Sequence, residues 1–146
     1  MRIREKTIPE NKIAITEYTE EGLNNSLYDV FEWAKTNKII VNGVPFARIE
    51  NIEKTNSERI CGLSIKGENL NPPENIQVID DKKHKVIGQI HIGSHKTVKE
   101  TYKNLIEYAK EKNYKNTKTV YLIFINNPFY TDEEKLITEV QLVITE

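Results

Sequence analysis

One amphipathic helix pattern is written twice in this chain, and that repetition limits its possible folds more than any other feature. From Gly22 to Asn37 (GLNNSLYDVFEWAKTN) the apolar stripe is Leu23, Leu27, Val30, Phe31 and Ala34. The spacing i, i+4, i+7, i+8, i+11 is that of a helix buried along one side. From Thr97 to Asn113 (TVKETYKNLIEYAKEKN) the stripe is Val98, Tyr102, Leu105, Ile106 and Ala109, every member 75 residues further on (23 to 98, 27 to 102, 30 to 105). The tetrapeptide EWAK (Glu32–Lys35) falls on EYAK (Glu107–Lys110) at the same offset. Short alternating runs precede the helices, KIAITEY (Lys12–Tyr18) and VIGQIHIG (Val86–Gly93). Two more follow each: VPFARIE (Val44–Glu50) matches TVYLIFI (Thr119–Ile125), and ICGLSIKG (Ile60–Gly67) matches KLITEVQL (Lys135–Leu142). Each half thus reads strand, helix, strand, strand. The Pro- and Asn-rich stretch ENLNPPENIQ (Glu68–Gln77) reads as the linker. The expected organisation is a single domain, 1–146, holding one repeat at about 1–70 and another at about 76–146.

Two such units predict an α+β fold with mostly antiparallel sheets, the helices on one face and a cleft on the other. A hydrophobic content of 38% suffices for one core in 146 residues. The net charge of −1 gives no basic field for nucleic acid. A single cysteine, Cys61, leaves no intramolecular disulfide, and the chain reads as reduced and cytoplasmic. The start MRIREKTIPENK has no apolar signal core, and no run is long enough to span a bilayer. The sequon NNS (Asn24–Ser26) is accordingly expected to carry no glycan.

The last strand-like run, LITEVQLVI (Leu136–Ile144), carries a carboxylate at its middle, Glu139. Side chains alternate along a strand. Leu136, Thr138, Val140, Leu142 and Ile144 form the more apolar set and belong under the helices; Ile137, Glu139, Gln141 and Val143 face away. By the same sorting Val120, Leu122 and Phe124 face the helix, and Tyr121 and Ile123 do not; Ala47 and Ile49 face it, and Phe46 and Arg48 do not. At the 75-residue offset Phe46 corresponds to Tyr121, Arg48 to Ile123 and Ser64 to Glu139. The helix-free face then gathers Phe46, Tyr121, Ile123, Arg48, Ser64 and Glu139, joined by Gln89 and His91 from the strand before the second helix. An aromatic-walled groove with few polar groups is the usual make-up of a small-molecule site. A carboxylate within it suits an organic cation, by charge pairing and cation–π contact. The plainer reading keeps Glu139 as a wet strand residue or as the ion-pair partner of Arg48. Trp33 reads either as the cleft edge or as packing beside the helix stripe.

Other candidates are weaker. His91 and His95 (HIGSH) are four apart, but the intervening Gly-Ser reads as a strand end and turn, so no metal is expected. His84 lies in DDKKHK, which reads as a solvated turn, and TDEEK (Thr131–Lys135) reads as an exposed charge cluster. Cys61 reads as a small buried residue. No glycine-rich phosphate loop and no GxSxG elbow is present, and no cofactor is expected.

The stretch IHIGSHKTVKETYKNLIEYAKEKNY resembles the second half of the GyrI-like (gyrase-inhibitor-like) small-molecule-binding family, which includes effector-binding domains of multidrug-responsive bacterial transcription activators. VYLIFINNPFYTDEEKLITEVQLVI is similar to the family's next segment, a Tyr-initiated strand, an Asn-Pro loop and a Thr-Glu-hydrophobic strand; IREKTIPENKIAIT is similar to its opening strand. The resemblance covers essentially the whole chain. It implies two repeats about a pseudo-dyad, a cleft between them, and the Thr-Glu glutamate, here Glu139, pointing into it, with Tyr121 beside it. The first half departs from the pattern in lacking a second obvious acidic residue. Three readings of function follow. The first is a stand-alone small-molecule-binding protein (sensor, carrier or sequestering protein) taking an amphipathic aromatic or cationic ligand with Glu139, Tyr121, Phe46, Arg48, His91, Trp33 and Ser64, and contacting neither nucleic acid nor membrane. The second is a hydrolase of strained electrophiles with Glu139 as general base and Tyr121 positioning the substrate. The third is a gyrase-inhibitor-like protein-interaction module.

Overall fold

A computed structural model describes residues 2–68 and 70–145; within the linker, Asn69 lies outside the described residues. Its two α-helices are α1 (Leu23–Thr36) and α2 (Val98–Glu111), within a residue or two of the predicted stripes. Both end the same way. Lys38 and Asn113 turn into the left-handed region, at φ 53° and 60°. The next amides, Ile39 N–H and Tyr114 N–H, donate back to the Ala34 and Ala109 carbonyls at 2.9 Å. This closes the last turn and satisfies a carbonyl that the helix itself leaves open.

The strands are β1 (Arg4–Ile8), β2 (Asn11–Glu17), β3 (Ile40–Val41), β4 (Phe46–Ile49), β5 (Arg59–Lys66), β6 (Gln77–Asp81), β7 (His84–Ile92), β8 (Lys115–Phe124) and β9 (Ile137–Thr145). They form one curled antiparallel sheet in the order β1-β7-β9-β8-β4-β5-β2-β6, with β3 adding to β5. The α+β architecture expected from sequence is the one observed. Strands 75 residues apart take matching places counted outward from the central β8–β4 pair.

The outermost strands were not legible in the sequence. Pro9 splits the opening run into β1 and β2, which then leave for opposite ends of the sheet. Gln77, at the end of the expected linker, and Asp80 and Asp81, in the stretch read as a solvated turn, belong to a strand, β6. β1 pairs with β7 in the second half, and β6 pairs with β2 in the first. Each half therefore lends its first strand to the other, and the two lent strands become the edges of the sheet.

Both helices lie on one face, α1 over β2 and β5, α2 over β7, β8 and β9. Beneath them the core holds Leu27, Ala47, Leu105, Val120, Leu122, Phe124, Val140 and Leu142. A second cluster under α1 contains Ala14, Val30, Leu63, Ile65 and Trp33, which is 9% exposed. Trp33 is thus a core residue of the first half and does not reach the groove. Its indole continues the buried stripe of α1 and packs with the apolar residues of β2 and β5. Cys61 is fully buried beside Ala47, and burial pushes its thiol up to about 12. A thiol held that far from ionisation suits packing rather than nucleophilic chemistry.

Candidate ligand-binding groove

The helix-free face of the sheet is concave, and at its centre lies a hollow of about 310 Å³. Strand register explains its contents. Phe46 is paired with Ile123 and Arg48 with Tyr121 across β4–β8; Tyr121 is paired with Gln141 and Ile123 with Glu139 across β8–β9. Because facing residues project to the same side, these residues share one surface. Phe46, Tyr121, Ile123, Ser64 and Glu139 all line the hollow. Phe46 and Tyr121 stand with ring centroids 6.2 Å apart and form one wall. Ile13, Ile15 and Ile60 pack with them, and Ile13 also lines the hollow.

Glu139 is 9% exposed, the most buried carboxylate among the described residues. Its partner is Lys6, not Arg48. The Lys6 ammonium donates to both carboxylate oxygens, at 2.7 and 3.0 Å, and Gln141 Nε2 donates to Oε1 at 2.6 Å. Two features make this possible. β1 was lent to the second half, so Lys6 hangs from the edge strand over β7. And β7 presents Gly88 there: a Cβ on Gly88 would lie 3.2 Å from the Glu139 Cδ, tighter than ordinary packing. The absent side chain is the room the carboxylate occupies.

Arg48 is drawn to the other end of the groove. Its register opposite Tyr121 places it a row away from Glu139, and its guanidinium lies 3.8 Å from Asp81 and 3.9 Å from Glu58. It also sits over the Tyr121 ring, 6.0 Å from the centroid. The Tyr121 hydroxyl donates to both Asp81 oxygens, at 3.0 and 3.1 Å. Burial pushes the Tyr121 phenol up to about 12, so it stays a donor at any physiological pH. His84 stacks on the same ring, 4.9 Å between centroids and 12° between planes, while its Nδ1 donates to the Lys82 carbonyl at 2.8 Å. Since that carbonyl can only accept, Nδ1 carries the proton in this pair.

Among the groove residues that the sequence reading did not place there are the charged and ring-bearing Lys6, Asp81 and His84. Asp81 supplies the second acidic group that the first half lacks, because β6 carries it across. Lys6 and Asp81 are themselves 75 residues apart, a signal that could have found them once the edge strands were recognised. His84 begins β7 rather than lying in a solvated turn.

His91 and Gln89 belong to the opposite face. Both are buried beneath α2, with Ile87 of the same parity in the helix-side core. His91 Nδ1 is 2.9 Å from the Thr101 hydroxyl, and Nε2 is 2.9 Å from that of Thr97 and 3.1 Å from the Ser94 carbonyl. Hydrogen bonds to the start of α2 let a polar side chain sit in the core, which inverts the inference from polarity alone. The adjacent His95 ring packs on Phe124, centroids 4.8 Å apart.

A second hollow, about 340 Å³, opens on the helix side between the starts of the two helices. Its floor is the shared core, through Ile49, Leu122 and Leu136, and its rim mixes Glu20, Glu21, Lys96 and Lys99. It lacks a buried charge set among aromatic rings, and the concave face is the better candidate.

The model of the GyrI-like small-molecule-binding domain matches residues 1–145, and the chain belongs to that family. Its fold is shared with the C-terminal domain of EcmrR (TM-score 0.86, 14% identity, 99% of this chain and 98% of that one) and with EcmrR in its complex with DNA (TM-score 0.85, 14% identity), of which this chain spans 57%. A hydrolase from Listeria innocua is similar over 99% of this chain and 92% of its own (TM-score 0.70, 11% identity). SAV2435 bound to tetraphenylphosphonium is similar over 99% and 94% (TM-score 0.61, 13% identity). No curated protein sequence matches the chain. Among the described residues no helix is long and apolar enough to cross a membrane.

Proposed function

We propose that this GyrI-like domain holds an amphipathic aromatic cation in the concave groove, as a sensor, carrier or sequestering protein. The observation that carries the reading is the buried Glu139 carboxylate beside a wall of Phe46, Tyr121 and Ile123. An organic cation there gains a charge partner out of bulk water and an aromatic face. The rim supports a lipophilic ligand: Val44 and Ile125 line the mouth while 43% and 48% exposed. Asp81 and His84 add acceptor and stacking surface at the far end. The tetraphenylphosphonium on SAV2435 belongs to that protein; it recommends a probe here. In this reading the two 75-residue units are functional halves, each contributing strands to one groove.

The ligand roles proposed for Glu139, Tyr121, Phe46 and Ser64 rest on their place in the hollow, and Arg48 acts there through Asp81 and Tyr121. His91 and Trp33 take no part. The hydrolase reading gains nothing from the geometry, since both Glu139 oxygens are already held by Lys6 and one also by Gln141, a setting that favours charge pairing over water activation. Thermal denaturation with tetraphenylphosphonium tests the proposal. The expected result is a concentration-dependent rise in Tm, about 2.7 kcal/mol of stabilisation at a hundredfold excess over Kd, which Glu139→Gln cuts to about half or less at the same concentration. A rise of equal size in Glu139→Gln would refute the assigned role of the carboxylate.

A further inference from the structure

We propose that Lys6 selects ligands by charge: its ammonium stands on the Glu139 carboxylate as a built-in counter-ion, and an organic cation enters by displacing it into solvent. The inference rests on the binding function proposed above and adds to it the step that admits the ligand.

The pair is asymmetric in its access to water. The Lys6 side chain is 38% exposed, that of Glu139 only 11%. Lys6 hangs from β1, an edge strand, so its route outward is open, whereas Glu139 is set in β9 with β7 on one side and β8 on the other. Leaving Glu139 alone in its site would strand a buried charge and is strongly unfavourable. Exchange avoids that state. The incoming cation takes over the carboxylate as Lys6 leaves, and the lysine recovers hydration and rotamer freedom.

The surroundings are built to survive the exchange. Gln141 Nε2 keeps its hydrogen bond to Glu139 Oε1 and holds the carboxylate in place without Lys6. On the opposite face of β1, the Tyr108 and Tyr114 hydroxyls donate to Glu5 at 2.8 and 2.6 Å. The strand backbone is thereby tied to the second helix and the turn after it, and only the Lys6 side chain has to move. A neutral aromatic molecule offers nothing to replace Lys6 and leaves the pair intact. The groove with Lys6 in place is therefore guarded against weak or uncharged occupants.

Tetraphenylphosphonium and tetraphenylborate, alike in shape and opposite in charge, make the test. Calorimetry on the wild-type chain and on Lys6→Met, which keeps the aliphatic stem, should show the phosphonium binding about tenfold or more tighter to the variant, about 1.4 kcal/mol, and the borate binding more weakly to it. Lys6→Arg, which can grip the carboxylate through two parallel hydrogen bonds, should weaken phosphonium binding several-fold. A measurement on unmodified protein stands beside the variants. Acylation with acetic anhydride read by mass spectrometry should show Lys6 becoming more reactive once the phosphonium is bound, with Lys82 as the exposed reference. Equal phosphonium affinity in wild type and Lys6→Met, with Lys6 reactivity unchanged on binding, overturns the displacement and leaves the binding function standing. Failure of both ions to bind either protein overturns both.

Discussion

The two ends of the groove are built from corresponding strands and carry different chemistry. At one end Glu139 is closed by Lys6; at the other, 75 positions away in each case, Ser64 replaces the glutamate and Asp81 replaces the lysine. Ser64 turns aside to Asn11, its hydroxyl donating to Oδ1 at 2.8 Å. Asp81 is satisfied instead by the Tyr121 hydroxyl and approached by Arg48. Both ends thus hold one carboxylate and one nearby cation, but only the Glu139 end joins them in direct contact. A part-exposed lysine on an edge strand can yield to a ligand. A phenol hydroxyl fixed in a central strand, with an arginine half-buried above its ring, cannot do so without losing the wall it belongs to. The same backbone has made a movable end and a fixed end.

Glycines give the sharpest break of this comparison. At Gly62 a Cβ would run into the Ala14 carbonyl oxygen, whereas at Gly88 it would press on the Glu139 carboxylate at 3.2 Å. Gly62→Ala should therefore cost about 3 kcal/mol or more in urea denaturation, at the upper end of overpacking penalties, because backbone must move. Gly88→Ala should lose less stability, since a side chain can shift, but weaken phosphonium binding several-fold. Equal stability losses would mean that the carboxylate is as immovable as the main chain.

Next in size comes the contrast between the acids. Glu139→Gln should weaken phosphonium binding by about tenfold or more, about 1.4 kcal/mol, and Asp81→Asn by only a few-fold, because Tyr121 and Arg48 already occupy Asp81. Titration calorimetry decides; an Asp81 effect as large as that of Glu139 would move the cation to the fixed end. Tyr121→Phe then sharpens the picture by removing the donor to Asp81 while keeping the ring. Affinity should change little and stability should fall by about 1 kcal/mol.

The smallest expected effect concerns the anchor of β1. Hydrogen bonds from Tyr114 and Tyr108 hold the Glu5 carboxyl below the ordinary value of 4.5. A depressed carboxylate stabilises the fold fully above its unfolded value, and that contribution disappears as the pH falls through the folded one. Acidification below about 4.5 should thus loosen β1 before the central strands, a difference readable by amide exchange at Lys6 against Leu122. Glu5→Gln should flatten it.

Much of this is legible in the sequence. The stripe of α1 and α2 has a period that only a helix satisfies, and Phe46, Tyr121 and Glu139 could be sorted to one face because β4, β8 and β9 alternate cleanly. The sorting failed at β7. There Gln89 and His91 look like the wet set, yet they are buried beneath α2, where Thr97 and Thr101 satisfy His91. Hydroxyl partners ten or fewer residues away in chain but on another element leave no mark in the alternation itself. Lys6 and Asp81 were missed for a related reason. Each is an ordinary charged residue on a short run near a proline or a linker, and its meaning depends on the strand it is lent to.

Local periodicity and burial were enough to fix the two helices, the strands β2, β4, β5, β7, β8 and β9, the helix-bearing face and the presence of an acid on the other. Which cation meets which carboxylate follows from the strand pairing alone. That pairing depends on β1 and β6 crossing to opposite edges of the sheet. Strand exchange is set by long-range backbone pairing, which no window of neighbouring residues encodes.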